Sequence, residues 1–468
     1  MRIVIIGAGL VGFQLARHLI QEKHDVSLIE SNEERGRYAS NRLDCLVLHD
    51  EGNSLRVLEE AGIAKADALV CVTGSDEVNM IICGLAASRY PGLLKIARVR
   101  NDDYVRLNKT GERILGIDHF VHPDVEASEA AINAIEHGAR GDVLAFEGTP
   151  YKLGSIDITP GSAFEGLAVK DYRKIVPEES LITLVERRGE TILPDGATVL
   201  AGGDRIHVLA REEEMNRIFG LSGRTEQPLR NIGIVGGGRL GALIAEKLLA
   251  KEENSKPSLF SFFKTLISRR SSRVVIIEQD YNLCKELAAR FPAALILNED
   301  ISEESFTTEE QIDKLDLIVT TTDRQELNII TAVYLKSRGV DRAVAMVTGP
   351  GYAAIARRLG VDVVIPMKTV VVDSILSHLM GGGVTEVHRL GDGSVDIIEV
   401  EIRKDVPAAD TSIAAFRLSA GGLLMLVNRG GDSFIPRGDY VFKEGDRIVL
   451  ITKTGSHAEI EKYFGSAL

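Results

Sequence analysis

Apolar residues fall in short unbroken runs along most of the chain, and amphipathic stretches separate them. Arg2–Ile6, Val26–Ile29, Cys45–Leu48, Ala68–Val72 and Lys95–Val99 read as strands. Leu10–Glu22, Ser54–Ala61 and Asp76–Tyr90 carry helical periodicity, with only a short turn expected between the second and third strands. Strands that are apolar throughout, rather than at alternate positions, are buried on both faces, which is the signature of a parallel sheet. Strands alternating with helices predict a doubly wound α/β fold with right-handed crossovers.

The pattern then changes. Tyr151–Ile158, Leu181–Arg187 and Arg205–Ala210 read as short strands between Gly/Pro turns, followed by a helix at Glu212–Phe219. Asp396–Ile402, Leu423–Asn428, Arg447–Thr452 and a helix at Ser456–Phe464 repeat that arrangement. Leu181–Ile206 aligns without a gap on Leu423–Ile448, and 12 of the 26 positions are identical. Ile3–Gly12 (IVIIGAGLVG) likewise returns as Ile232–Gly241 (IGIVGGGRLG). The chain is a tandem duplication. The predicted class is α/β: two doubly wound, Rossmann-like parallel-sheet domains, each followed by a small α+β domain. The expected boundaries are 1–124, 140–222, 230–368 and 384–468, with Val125–His137 as a helical link.

Gly7-Ala8-Gly9-Leu10-Val11-Gly12 carries the strongest local chemistry. It follows a strand, opens a helix, and precedes a second strand that ends in Glu30. Gly7 makes the tight turn, Gly9 lets backbone amides approach a pyrophosphate, and Gly12 lets helix and strand pack closely. The helix N-terminus adds partial positive charge. Glu30 would accept the adenine ribose hydroxyls and repel a 2′-phosphate, favouring NAD(H) over NADP(H). The loop reads only the AMP half, so ATP and ADP fit it equally.

Other groups converge on the same edge of the sheet. Strand four ends in Thr73-Gly74-Ser75-Asp76, with Asn79 one helical turn on; Ser75 is as good a helix cap as a ligand contact. Arg98 and Arg100 alternate on strand five and read as a phosphate clamp, with salt bridging as the competing explanation. Asp50 either accepts from an adenine or ends its strand. The second copy keeps Gly236, Gly238, Leu240 and Gly241, together with Glu278, Thr322 and Asn328. Its strand five reads Ala345-Met346-Val347-Thr348, without the arginines, while Arg239 inside the loop offers a substitute phosphate contact. The two sites are therefore expected to differ in ligand preference.

Composition narrows the options. Lys plus Arg number 55 and Asp plus Glu 68, a net charge of −13, which argues against nonspecific binding to nucleic acid or anionic membrane. The four cysteines are scattered without metal-ligand spacing, and no metal site is expected. The apolar N-terminus is too short and too glycine-broken for a signal peptide, and a cytoplasmic location is expected. Lys251–Arg273 is an insertion in the second copy. Leu259, Phe260, Phe262, Phe263, Leu266 and Ile267 lie among its basic residues. It reads either as a docking segment for a partner or membrane interface, or as an oligomer contact. No His–Asp or His–Arg pair stands at a nicotinamide position, and neither H-E-x-x-H nor G-x-S-x-G occurs, so two nucleotide sites without catalytic groups read as sensing. An NAD-dependent oxidoreductase of duplicated architecture remains the alternative, and turnover of NADH separates the two.

The glycine loop with Glu30, CVTGSDEVN at 71–79, IARVRN at 96–101 and the GDRI-containing small domains together resemble the TrkA-type regulatory subunits of bacterial Trk potassium-uptake systems. The resemblance spans the chain as an RCK-N (KTN) domain, an RCK-C domain and a second copy of each. It implies a cytosolic homo-oligomeric ring, peripheral to the inner face of the cell membrane. Such a ring docks on a potassium-translocating TrkH- or TrkG-type membrane subunit. It gates flux according to bound NAD(H) or ATP/ADP.

Overall fold

The computed structural model describes residues 1–101, 103–104, 114–136, 139, 143–146, 149–176, 179–188, 190–222, 229–254, 273–301, 314–379, 387–390, 395–404, 406–413, 421–453, 460 and 463–464. The first domain alternates β1 (Arg2–Ile6), α1 (Leu10–Gln21), β2 (Asp25–Ile29), α2 (Glu33–Ser40), β3 (Leu46–Leu48), α3 (Leu55–Glu60), β4 (Ala68–Cys71), α4 (Asp76–Arg89), β5 (Leu94–Arg98) and β6 (His119–Val121). All pairings are parallel and the strand order is β3-β2-β1-β4-β5-β6. That order reverses direction between β1 and β4, which opens a crevice at the carboxyl ends of those strands. The apolar runs fill both faces of the sheet: Ile3, Val4 and Ile5 are fully buried.

Two features depart from the sequence pattern. The expected turn after β2 is the two-turn helix α2, capped by the Asn32 side chain accepting from the Arg35 amide at 3.0 Å. The sixth strand, His119–Val121, opens on a histidine and holds only two apolar residues, so it does not read as an apolar run. Helix α5 (Pro123–Glu136) follows it. The expected link at Val125–His137 corresponds to this helix, with His137 outside the described residues.

A small antiparallel sheet comes next: β7 (Val143–Ala145), β8 (Tyr151–Asp157), β9 (Ser180–Arg187), β10 (Glu190–Ile192) and β11 (Arg205–Arg211), then α6 (Glu212–Leu221). The second copy repeats both halves. Its parallel sheet is β12 (Asn231–Val235), β13 (Arg273–Glu278), β14 (Leu295–Asn298), β15 (Leu317–Thr320), β16 (Arg342–Val347) and β17 (Val363–Pro366), in the same order as the first. The described helices of this half are α7 (Arg239–Asn254), α8 (Tyr281–Arg290), α9 (Gln325–Ser337), α10 (Pro350–Arg358) and α11 (Met367–Leu379). The second small sheet is β18 (Val387–Leu390), β19 (Val395–Glu401), β20 (Gly422–Arg429), β21 (Asp432–Phe434) and β22 (Arg447–Lys453). The insertion read at Lys251–Arg273 lies outside the described residues apart from the end of α7 and Arg273, and the Ser456–Phe464 helix is described only at Ile460, Tyr463 and Phe464.

The repeated GDRI motif has a structural cause. Asp204 and Asp446 are buried, and each is gripped through two nitrogens by the arginine that the repeat also preserves. Arg187 Nε and Nη2 donate to Asp204 at 2.8 and 2.6 Å, and Arg429 does the same to Asp446 at 2.6 and 2.8 Å. Burial alone would raise the Asp204 carboxyl. The Arg187 guanidinium and the Ala201 amide more than reverse this and hold it below its ordinary value.

The chain divides into two compact units. Residues 1–132 and 230–379 form one, and 133–229 with 380–468 form the other. In the second unit the two small sheets share a core, with Leu153, Leu184 and Leu209 packed among Val395, Met425 and Ile451. In the first unit the α/β domains exchange helices. Val371, Val372, Ile375, Leu376 and Leu379 of α11 enter the core of the first domain beside Val11, Leu15 and Leu19. Helix α5 reciprocates through Glu129, 3.2 Å from Lys247 Nζ on α7.

Candidate functional site

The glycine loops have the geometry that their spacing predicts. Gly7 sits at φ +102°, and a Cβ there would lie 3.2 Å from the backbone of Val72 and Thr73. A Cβ on Gly12 would stand 1.9 Å from the Gly7 carbonyl, closer than any packing permits. Gly9, by contrast, faces open space, with nothing within 4 Å of an added Cβ. The helix-opening amides behind it are thus accessible from the cleft. Leu10 is exposed and Val11 buried. The second loop repeats all of this: Gly236 at φ +98°, a Gly241 Cβ 2.0 Å from the Gly236 carbonyl, Gly238 open, Leu240 buried.

Each loop borders a cleft at the carboxyl end of its sheet. The first encloses about 380 Å³ and is lined by Gly7, Gly9, Glu30, Asp50, Thr73 and Gly74 among others; the second encloses about 480 Å³ and is lined by Gly236, Gly238, Glu278 and Thr322 among others. These volumes lie within the range of ligand-binding clefts. Glu30 is buried and braces the loop: one carboxylate oxygen accepts from the Ala8 amide at 2.6 Å and the other from the Asn32 amide at 2.9 Å. Glu278 does the same for Gly237 at 2.7 Å and Asp280 at 2.9 Å. Each carboxylate oxygen retains a lone pair, so a ribose hydroxyl can still be accepted at the cleft wall. Asp50 lines the first cleft while pairing with Arg56 at 3.0 Å.

Asn79 and Asp76 are placed differently from the glycines. Asn79 is fully buried and does not line the cleft. Its Oδ1 accepts from the Thr73 amide at 2.9 Å and the Thr73 hydroxyl at 2.7 Å, and its Nδ2 donates to the Arg98 carbonyl at 2.8 Å. It ties the ends of β4 and β5 together. Asn328 makes the same three bonds to Thr322 and Met346 at 2.9, 2.6 and 2.9 Å. The Asp76 carboxylate accepts the Arg100 and Asn101 amides, both at 2.8 Å, and so fixes the backbone past β5. Ser75 caps α4, accepting from Val78 at 3.2 Å, and also borders the cleft.

Arg98 and Arg100 stand at the carboxyl end of β5, outside the cleft lining proper. Arg98 is half-buried, and its Nε is a buried donor without a hydrogen-bond partner. Burial, with Arg100 beside it, pushes the Arg98 guanidinium down from its ordinary value, and Asp76 only partly opposes this. A partly buried guanidinium that keeps an unpaired donor is costly unless an anion completes it. In the second copy Met346 and Thr348 take these places, and Arg239 stands 3.8 Å from Asp124 of α5. Arg239 is thus already paired with a carboxylate.

The structure also adds residues that periodicity did not single out. Arg35 on α2 reaches the first cleft, and Arg324 stands in the second where the first has Ser75. The second lining carries five carboxylates, Glu278, Asp280, Glu299, Asp300 and Asp323, against three in the first, Glu30, Asp50 and Glu51. Arg35 reaches its site on a helix that the strand pattern did not announce, and Arg324 through the turn that opens α9. Among the described residues no group of His, Cys, Asp and Glu is arranged to hold a metal ion.

Fold and clefts define a tandem Rossmann-type α/β protein with two glycine-loop sites of unlike charge. The chain belongs to the family built from TrkA-N and TrkA-C domains: TrkA-N domains match residues 3–123 and 260–366, and TrkA-C domains match 153–223 and 397–465. It is 28% identical to the Trk system potassium uptake protein TrkA of Haemophilus influenzae over 471 residues, covering 99% of this chain and 98% of that one. A second relative, TrkA homolog 1 of Methanosarcina mazei, is 28% identical over 470 residues, covering 99% and 100%. Among solved structures, the GsuK channel bound to NAD superposes with a TM-score of 0.55 at 17% identity, covering 99% of this chain and 79% of that one. The GsuK RCK domain gives 0.54 at 17%, covering 98% and 94%. These relatives are named for potassium uptake and for a channel, and none for an enzymatic activity.

Proposed function

We propose that this protein is a cytosolic regulatory subunit that binds adenine nucleotides, NAD(H) and ATP/ADP, on its glycine loops and reports their presence to a potassium-translocating membrane subunit of TrkH or TrkG type. The observation that carries the reading is the first site: an open glycine loop and, at the carboxyl end of β5 on the same edge of the sheet, a buried Arg98 Nε without a hydrogen-bond partner among the described residues, next to Arg100. An adenine dinucleotide or a nucleoside triphosphate supplies the missing anion. The names of the relatives supply the transport context, and the fold neighbours include a channel bound to NAD. Among the described residues no helix is long and apolar enough to cross a membrane, so a separate subunit would conduct the ion.

The residues divide the work. Gly7 and Gly12 shape the turn, Gly9 opens it to phosphate, and Glu30 holds the loop and faces the ribose. Asn79 and Asp76 fix the backbone that carries Arg98 and Arg100. A ligand can shift a gate only through a difference in affinity between its two conformations, and coupling of about 1–3 kcal/mol is typical. ATP, ADP and NADH share the AMP group but present different charge beyond it, and they are therefore expected to stabilise different arrangements of a homo-oligomeric ring. Titrating the three separately against purified protein tests binding. Potassium conductance of the reconstituted complex tests signalling: ATP and ADP at saturation should give different conductance. Identical conductance in all three and in no nucleotide refutes the sensor.

A further inference from the structure

Helices α5 and α11 follow the last strand of each α/β domain and cross to the other one. The sheet register makes their residues equivalent. Val121 pairs with Arg98 and Ile365 with Met346, so Asp124 and Lys368, each three residues further on, occupy the same position. One crossing helix therefore opens with an acid and the other with a base. Asp124 ends 3.8 Å from Arg239, the first helical residue of the second glycine loop. The counterpart of Arg239 in the first loop is Leu10.

Helix α11 lies along α1 with its N-terminus at the same end. Gln14 Nε2, one turn into α1, donates to the Thr369 hydroxyl at 3.4 Å, next to Lys368. At the other end His378 stacks on His119, the first residue of β6, with ring centroids 4.2 Å apart. The helix thus runs from the carboxyl edge of the first sheet to its amino edge, and Lys368 sits at the carboxyl edge, where Gly9 and Arg98 stand. Lys368 is partly buried, and burial pushes its ammonium below the ordinary value; among the described residues it makes no ion pair with a carboxylate.

We infer that Lys368, delivered by the second α/β domain, is a phosphate contact of the nucleotide on the first glycine loop, and that Asp124 keeps the second loop from making the equivalent contact. This rests on the nucleotide reading of the first site. It makes that site composite: Arg98 and Arg100 come from the first domain and Lys368 from the second. A phosphate held between them ties the two domains together across their exchanged helices. In the second loop Arg239 is already paired with Asp124.

Isothermal titration of the full chain with ATP, ADP and adenosine tests this. Lys368→Gln should weaken the tighter ATP-binding step by about tenfold or more, the typical loss for one charge-assisted contact. It should leave adenosine binding unchanged, and Lys368→Arg should restore ATP affinity. Asp124→Asn, which removes this carboxylate from Arg239, should strengthen the weaker ATP step. Wild-type protein that binds no ATP overturns the nucleotide reading and this inference with it. Wild-type binding that Lys368→Gln leaves intact overturns the inference alone. Equal losses for adenosine and ATP also overturn it, because Lys368 would then be shaping the fold rather than meeting phosphate.

Discussion

The two α/β domains share a backbone and differ in charge. Strand order, loop geometry, the Glu30/Glu278 brace and the Asn79/Asn328 tie are the same in both, down to tenths of an ångström. The differences gather at the carboxyl end of the fifth strand and on the crossing helices, where the proposed nucleotide would extend beyond its AMP group. The first domain has Arg98 and Arg100 there and receives Lys368. The second has Met346 and Thr348, receives Asp124, and lines its cleft with five carboxylates. Duplication preserved what the fold requires and let the ligand chemistry diverge. The demand on Gly12 is steric and has one solution, whereas on the proposed reading the demand on Arg98 comes from a ligand.

The sharpest way to break the comparison is to attack what the copies share. Gly12→Ala and Gly241→Ala should each cost about 3 kcal/mol or more by chemical denaturation, because each Cβ meets a backbone carbonyl near 2 Å. Gly9→Ala should leave stability within about 1 kcal/mol while obstructing phosphate, since nothing of the protein opposes its Cβ. Equal costs at Gly9 and Gly12 would contradict the loop geometry.

The next effect attacks what they do not share. Arg98→Ala with Arg100→Ala should weaken ATP and NADH at the first site by roughly 10- to 150-fold and leave the second untouched. It should also abolish any difference in conductance between ATP and ADP in the reconstituted complex without preventing assembly. Unchanged calorimetric dissociation constants would remove the phosphate clamp. A smaller effect is expected at Glu30. NADPH should bind at least tenfold more weakly than NADH at the first site, and Glu30→Ala should narrow that gap. Equal affinities in the wild type would mean that Glu30 only braces the loop.

The smallest effect separates the two crossing helices. His378 on α11 stacks on His119, whereas the corresponding position on α5 is Ala134. Burial, with His119 beside it, holds the His378 imidazole below its ordinary value. The unfolded chain therefore binds the proton more readily. Stability should be full above about pH 6.5 and fall as pH drops through that unfolded value. His378→Gln should flatten this dependence, read as a change of no more than roughly 2–4 °C in Tm between pH 7.5 and 5.5. An unaltered pH profile would show that the stacked pair contributes nothing.

Much of this protein was legible in the order of its residues. Unbroken apolar strands announced a parallel sheet, the recurrence at Leu181 and Leu423 announced the duplication, and glycine spacing located both loops. These are local facts: a strand buried on two faces, a φ only glycine tolerates, a helix opening on bare amides. The sequence also contained Asn79, Asp76 and Arg239, but not what they do. Their neighbourhood to a glycine loop suggested ligand contacts. Packing made Asn79 and Asp76 backbone ties, because a buried amide or carboxylate must satisfy its bonds with whatever the fold brings near. Arg239 met a carboxylate from more than a hundred residues earlier. Helix α11 was invisible as a component of the first core, and Lys368 with it, because periodicity shows which face of a helix is apolar and not which domain that face will cover. Local sterics and hydrogen bonding are written along the chain. Which charges share a cleft depends on the exchange of helices between two domains, and only the tertiary structure decides that.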